Sequence, residues 1–155
     1  MDELNPNGDA FTGVVLEVFR LNRLLLDAGD ALAAPAGLSS ARWQVMGVVE
    51  HGPIPVSNVA RIIGLTRQSV QQTADGLAAD GLIAWSENPH HRRAKLMSLT
   101  AEGRAALDLV QRRHAAWANG IGGTQPVEEL RAALGVLRRL RDTLDPDAPP
   151  PAPDA

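Results

Sequence analysis

The stretch NPHHRRAKLMSLT, Asn88 to Thr100, holds the densest group of chemically capable side chains in the chain. His90, His91, Arg92 and Arg93 are consecutive, and Lys95 follows closely. Imidazole nitrogens suit zinc. Neighbouring residues of an extended hairpin point to opposite faces, however, so one ion cannot easily take both histidines. His51 and His114 are remote in sequence, and no carboxylate cluster joins them. No metal site is expected. The other chemistry open to this group is anion contact. Guanidinium groups can enter a narrow, negative minor groove, and a lysine can meet a phosphate. The histidines would add positive charge at mildly acid pH. A solvated hairpin tip would carry the same residues, so the neighbouring elements must decide.

A second polar set lies upstream, in TRQSVQQTADG. Arg67, Gln68, Ser69, Gln71, Gln72 and Thr73 include no acid, and the first carboxylate is Asp75. Helix starts ordinarily favour Asp or Glu, which complement the helix dipole. Their absence suits a surface that faces phosphates and base edges. Arg and Gln are also the side chains that bond guanine and adenine through two atoms at once. Ser57 and Asn58 can either cap a helix or meet a phosphate at its N-terminus. Residues 55–95 carry five Lys and Arg against three Asp and Glu, so this region is +2 in a chain of net charge −3.

Composition excludes other chemistry. With no cysteine there are no disulfides, thiolate metal sites, cysteine nucleophiles or thiol redox sensors. There is no Gly-rich phosphate loop, His-x-x-x-His or Gly-x-Ser-x-Gly. Neither an enzyme nor a cofactor is expected. The start, MDELNPNGDA, is acidic and polar, unlike a secretory signal. No apolar run reaches the roughly 18 residues of a membrane span. A cytoplasmic protein with no membrane partner is expected. Five aromatic residues are few for stacking single-stranded bases, and Trp43, Trp85 and Trp117 are read as core or interface.

The elements that must position these groups follow from periodicity and caps. Phe11, Val14, Val15, Val18, Leu21, Leu25 and Leu32 predict a helix from Phe11 to about Ala33. Ser39 or Ser40 caps the next, which turns Trp43, Met46 and Val49 inward and leaves Glu50 exposed. After a brief extended piece, Ser57 is the expected cap of a short helix with Val59, Ala60, Ile62 and Ile63 as its apolar face. Gly64 ends it. Thr66 then caps a helix whose stripe is Val70, Ala74, Leu77 and Ala78. Two helices joined so tightly make a helix-turn-helix. LIAWSENP and AKLMSLT alternate as strands, so NPHHRR becomes the tip of a hairpin following it. Thr100 caps a further helix, with Gly103 as an internal weak point. The last helix, from Val127, carries Leu130, Leu134, Leu137 and Leu144 at heptad-like spacing. Residues 1–9 and the Pro-rich tail 145–155 are expected to be loose.

The run VSNVARIIGLTRQSVQQTADGLAADGLI, then NPHHRRAKLMSLTAEG, resembles the DNA-binding lobe of the MarR (multiple antibiotic resistance regulator) family. The resemblance extends over about residues 11–144. It implies a mainly α fold with a small β-hairpin wing: a winged helix-turn-helix at about 38–100, with N- and C-terminal dimerisation helices at about 10–34 and 101–144, in one domain spanning 10–144. It implies a homodimer on a pseudo-palindromic double-stranded DNA operator, acting as a repressor and released by a small aromatic effector. Arg23 or Arg42 could pair with a carboxylate on such a ligand, with nothing in the sequence to favour either. The implied DNA-binding residues are Ser57, Asn58, Thr66, Arg67, Gln68, Ser69, Gln71, Gln72, Thr73, His90, His91, Arg92, Arg93 and Lys95. The implied dimer interface comprises Phe11, Val15, Val18, Trp117, Ile121, Val127, Leu130, Leu134, Leu137 and Leu144. In many relatives the wing carries Asp-x-Arg, a carboxylate orienting an arginine. Here that pattern falls on His91, Arg92 and Arg93, so the acid is replaced. Two other functions stay open from sequence: a ligand sensor with weak or no DNA contact, and a winged helix that binds protein.

Overall fold

Asn5 and Pro6 decide where the first helix begins. In the computed structural model, which describes residues 3–145, helix α1 spans Pro6–Ala33. The Gly8 N–H donates to Asn5 Oδ1 at 2.8 Å. Pro6 needs no N–H partner at the first helical position and arrives with its φ already set. Residues 6–9 are therefore helical, and the expected loose segment is corrected to a capped helix start. Of the expected loose C-terminal tail, all but Asp145 lies outside the described residues.

A 3-10 turn, Ala34–Ala36, leads to α2 (Ser40–Val49), which Ser39 caps by accepting from the Arg42 N–H at 3.2 Å. Strand β1 (Ile54–Pro55) runs directly into α3 (Val56–Ile63). Ser57 is not the cap. Antiparallel pairing of Ile54 with Met97 and of Pro55 with Leu96 holds Pro55 extended, so the helix starts at Val56 with no side-chain cap. Gly64 closes α3 at φ 70°, a conformation glycine adopts without the Cβ clash other residues meet. Helix α4 (Arg67–Ala79) opens on Thr66, whose Oγ1 accepts from the Ser69 N–H at 3.1 Å.

Strands β2 (Ile83–Ser86) and β3 (Leu96–Leu99) complete a three-stranded antiparallel sheet of order β1-β3-β2. Ile83 opposes Leu99 and Trp85 opposes Met97 on the core side, while Ala84 opposes Ser98 on the other. Helices α5 (Ala101–Gly122) and α6 (Val127–Leu144) follow. The core is built from Val45, Met46 and Val49 of α2, Val59 and Ala60 of α3, Val70, Ala74 and Leu77 of α4, Ile83 and Met97 of the sheet, and Leu107 and Val110 of α5. Trp43 and Trp85 pack against it, half-buried. Ile62 does not join them. Two residues on from Ala60 takes it to the far side of the helix, where it is 41% exposed.

Two further expectations are corrected. Glu50 is not a solvated helix end: Arg104 Nη1 donates to its Oε2 at 3.0 Å and Gln111 Nε2 to its Oε1 at 2.9 Å, tying α2 to α5. Gly103 is not a weak point but a close approach. A Cβ placed there would lie 1.9 Å from the Leu82 carbonyl oxygen. Thr100 seals the same junction, donating from its N–H to Leu82 O at 3.1 Å and from Oγ1 to Gly81 O at 2.6 Å. The run Leu99-Thr100-x-x-Gly103 is thus a packing device that seats the wing on α5.

Helices α1 and α6 take little part in this core. Only Gly29 and Ala33 of α1 are buried, and no residue of α6. No helix among the described residues is long and apolar enough to cross a membrane.

Candidate nucleic-acid interface

Between the first turns of α4 and the wing lies a groove of about 690 Å³. Its positions follow from local geometry. Thr66 fixes the start of α4, and Arg67, Gln71 and Asp75 then recur every fourth residue on one face. From the other side come Arg92, Arg93 and Lys95, with Ser57, Val56 and Pro55 at the start of α3. Trp85 stands on β2 where the groove meets the core. The wing tip is shaped by Asn88, whose Oδ1 accepts from the His90 N–H at 3.0 Å. The Ala94 N–H closes the loop on His91 O at 3.1 Å.

The cations of the groove are not neutralised by ion pairs among the described residues. Arg20, Arg23, Arg42, Arg104, Arg131 and Arg141 each pair with a carboxylate. No ion pair among the described residues engages Arg61, Arg67, Arg92, Arg93 or Lys95. An exposed cluster of unneutralised cations repels itself, and a polyanion relieves that repulsion. Among the described residues Asp75 is the only acid lining the groove, and it accepts from Gln71 Nε2 at 2.8 Å.

Of the residues expected from sequence, Ser57, Arg67, Gln68, Gln71, Arg92, Arg93 and Lys95 line this one groove. Asn58 lies in an adjoining hollow with Ser57, Arg61, Leu65 and Arg67. Ser69, Gln72 and Thr73 do not line either. The Thr73 hydroxyl donates to Ser69 O at 3.1 Å, and the Thr66 hydroxyl is occupied as the cap. His90 and His91 are exposed at the tip, and the described residues hold no group of three or more His, Cys, Asp or Glu placed for a metal. Sequence reasoning missed Arg61 and Asp75 as lining residues. Helical spacing carried the signal: Arg61 is three residues from Asn58, and Asp75 four from Gln71.

Arg23 and Arg42 are both committed within the chain. Arg23 Nη1 meets Asp27 Oδ2 at 3.1 Å, and Arg42 Nη1 meets Asp80 Oδ2 at 2.5 Å. A separate cleft of about 300 Å³ opens between α1, α2 and α5, lined by Leu25, Leu32, Trp43, Gln44, His114 and Trp117 among others. The His114 ring sits 5.1 Å from that of Trp43, edge-on, and 5.9 Å from that of Trp117.

A tight helix pair, a three-stranded wing and a cationic groove between them define a winged helix-turn-helix transcription regulator. The chain belongs to the MarR family: the MarR family model matches residues 36–94. An uncharacterised Mycobacterium tuberculosis protein, Rv2011c, is 35% identical over 141 residues, covering 91% of this chain and 99% of the relative. The crystal structure of a MarR family transcriptional regulator from Streptomyces coelicolor superimposes with a TM-score of 0.77 at 25% identity, over 90% of this chain and 99% of that one. The M. tuberculosis regulator MOSR, solved with DNA, matches with a TM-score of 0.71 at 22% identity, over 84% and 97% of the two chains.

Proposed function

We propose that this protein is a homodimeric, sequence-specific double-stranded DNA-binding regulator that represses nearby genes. The observation that carries the reading is the run of unpaired cations, Arg61, Arg67, Arg92, Arg93 and Lys95, gathered around the glutamines of α4. In this reading the first two turns of α4 enter the major groove, and the wing arginines reach the flanking minor groove. Ser57 and Asn58 meet the phosphate backbone from the start of α3. Ser69, Gln72, Thr73, His90 and His91 are exposed or near-exposed neighbours that complete the contact surface.

The dimer is supported by what the core leaves over. Phe11 and Val18 of α1, Ile121 of α5 and Val127, Leu130, Leu134, Leu137 and Leu144 of α6 are all exposed large apolar residues, with Val15 and Trp117 half-exposed beside them. An apolar helix with no buried residue normally has a partner. In the single domain proposed for residues 10–144, the helices at about 10–34 and 101–144 would hold two lobes on one pseudo-palindrome, with half-sites roughly 34 Å apart. The cleft flanked by Trp43, His114 and Trp117 favours release by a small aromatic effector, which would bind where α1, α2 and α5 meet.

Fluorescence anisotropy on the protein's own upstream duplex, against a scrambled one, tests the reading. Tight, selective binding that weakens steeply between about 50 and 200 mM salt is expected. Equal, weak binding to both, together with failure to enrich any duplex from a random pool, would leave a protein-binding winged helix as the better account.

A further inference from the structure

Gln71 and Asp75 stand one turn apart on α4, both exposed, both lining the groove. Gln71 Nε2 donates to Asp75 Oδ1 at 2.8 Å. An ionised carboxylate can only accept. The amide therefore has one stable orientation, nitrogen toward Asp75 and oxygen away, because the reverse flip sets two acceptors against each other. Of the two hydrogens on Nε2, the one trans to Oε1 reaches Asp75 without bringing Oε1 beside the carboxylate. What remains free is an edge with one acceptor, Oε1, next to one donor, the second N–H.

That edge complements one purine. In the major groove adenine offers the N6 amino donor beside the N7 acceptor, whereas guanine offers two acceptors, O6 and N7. Guanine would need both N–H groups of Gln71, and Asp75 already holds one. We propose that Asp75 is a positioning residue that fixes Gln71 as an adenine reader, so that each half-site carries an A·T pair with its adenine edge toward Gln71. The inference rests on the duplex-binding function proposed above. It also accounts for an acid in a groove that otherwise faces a polyanion. A lone carboxylate there opposes binding to any duplex, and such a group is retained where it rejects the wrong partner.

The test is enrichment from a random duplex pool by the full chain and by Gln71→Ala, Asp75→Ala and Asp75→Asn. Both side chains are exposed, and circular dichroism melts would verify that the variants fold. The wild type should favour adenine over guanine at one position per half-site by roughly 5- to 150-fold. Gln71→Ala should erase that preference there and nowhere else. Asp75→Ala should bring guanine to within about threefold of adenine at the same position, with no loss of affinity for a scrambled duplex. Asp75→Asn, whose Oδ1 can still accept from Nε2, should retain part of the preference. The inference is overturned if the Gln71-dependent position is not adenine, if Asp75→Ala leaves it unchanged, or if the two residues govern different positions. A wild type that enriches no sequence would instead remove the duplex-binding function, and this inference with it.

Discussion

Arg92 and Arg93 sit on a loop that Asn88 shapes and that no carboxylate among the described residues neutralises. Their substitution should therefore act on binding and leave folding alone. If each neutralises one phosphate-derived charge, Arg92→Ala/Arg93→Ala should make the plot of log affinity against log salt shallower by up to about 2 units. Anisotropy titrations at several salt concentrations would read this, and an unchanged slope would remove the wing from the interface. Gly103 belongs to the opposite category. Gly103→Ala places a Cβ against the Leu82 carbonyl, backbone that cannot swing aside. A loss of about 1–3 kcal/mol is expected, the usual range for forced overpacking. Thr100→Ala removes a cap and the bond to Gly81, which should lower stability by about 1 kcal/mol. Denaturant melts would rank the two, and neither should alter base preference. The run Leu99-Thr100-x-x-Gly103 thus carries the fold, whereas the proposed DNA contacts lie on the α4 and wing faces that line the groove.

The elements show why some of this was readable and some was not. Thr66, Thr100 and Ser39 act as caps because a cap is a local event, decided within four residues. The stripe Val70, Ala74, Leu77 was legible for the same reason, since one buried face repeats along one helix. Ser57 failed as a cap because the start of α3 is set by pairing with β3, some forty residues away in sequence. Glu50 and Gly103 were misread on equal grounds. Their partners, Arg104 with Gln111 and the Leu82 carbonyl, become neighbours only after tertiary packing. The same holds for Arg42, which crosses from α2 to Asp80 at the end of α4, passing 3.0 Å from where a Cβ on Gly76 would stand. With Asp80 about half exposed, Arg42→Ala should lower stability by only about 0.5–1 kcal/mol. Because the pair anchors the C-terminal end of α4, hydrogen exchange should quicken in the last turn of α4 before it does in α2. Uniform exchange across both helices would mean that packing, not the ion pair, holds α4 in place.

At the scale of the molecule, the proposed dimer would have to make a selective regulator from two modest grooves. The region 55–95 is only +2 and the remainder −5, so one lobe has little bulk attraction for DNA. Coupling two lobes in the proposed dimer would change this, since the second would engage at the high local concentration set by the first, raising avidity by roughly 10²- to 10⁴-fold. In the proposed dimer, the exposed apolar seam of α6 would be the means of coupling. Leu134→Glu/Leu137→Glu places charge on that exposed seam without touching the core. Sedimentation should then give a monomer that keeps its helical circular dichroism, with operator affinity lower by about 100-fold or more. Spacing tests the same coupling from the DNA side. Inserting five base pairs between half-sites turns one to the opposite face of the duplex, because a helical turn is about 10–10.5 base pairs. Binding to that duplex should fall to the level of a single half-site. If affinity were to survive both the seam substitutions and the insertion, each lobe would have to recognise DNA alone, and α1 and α6 would serve something other than the spacing of the two lobes.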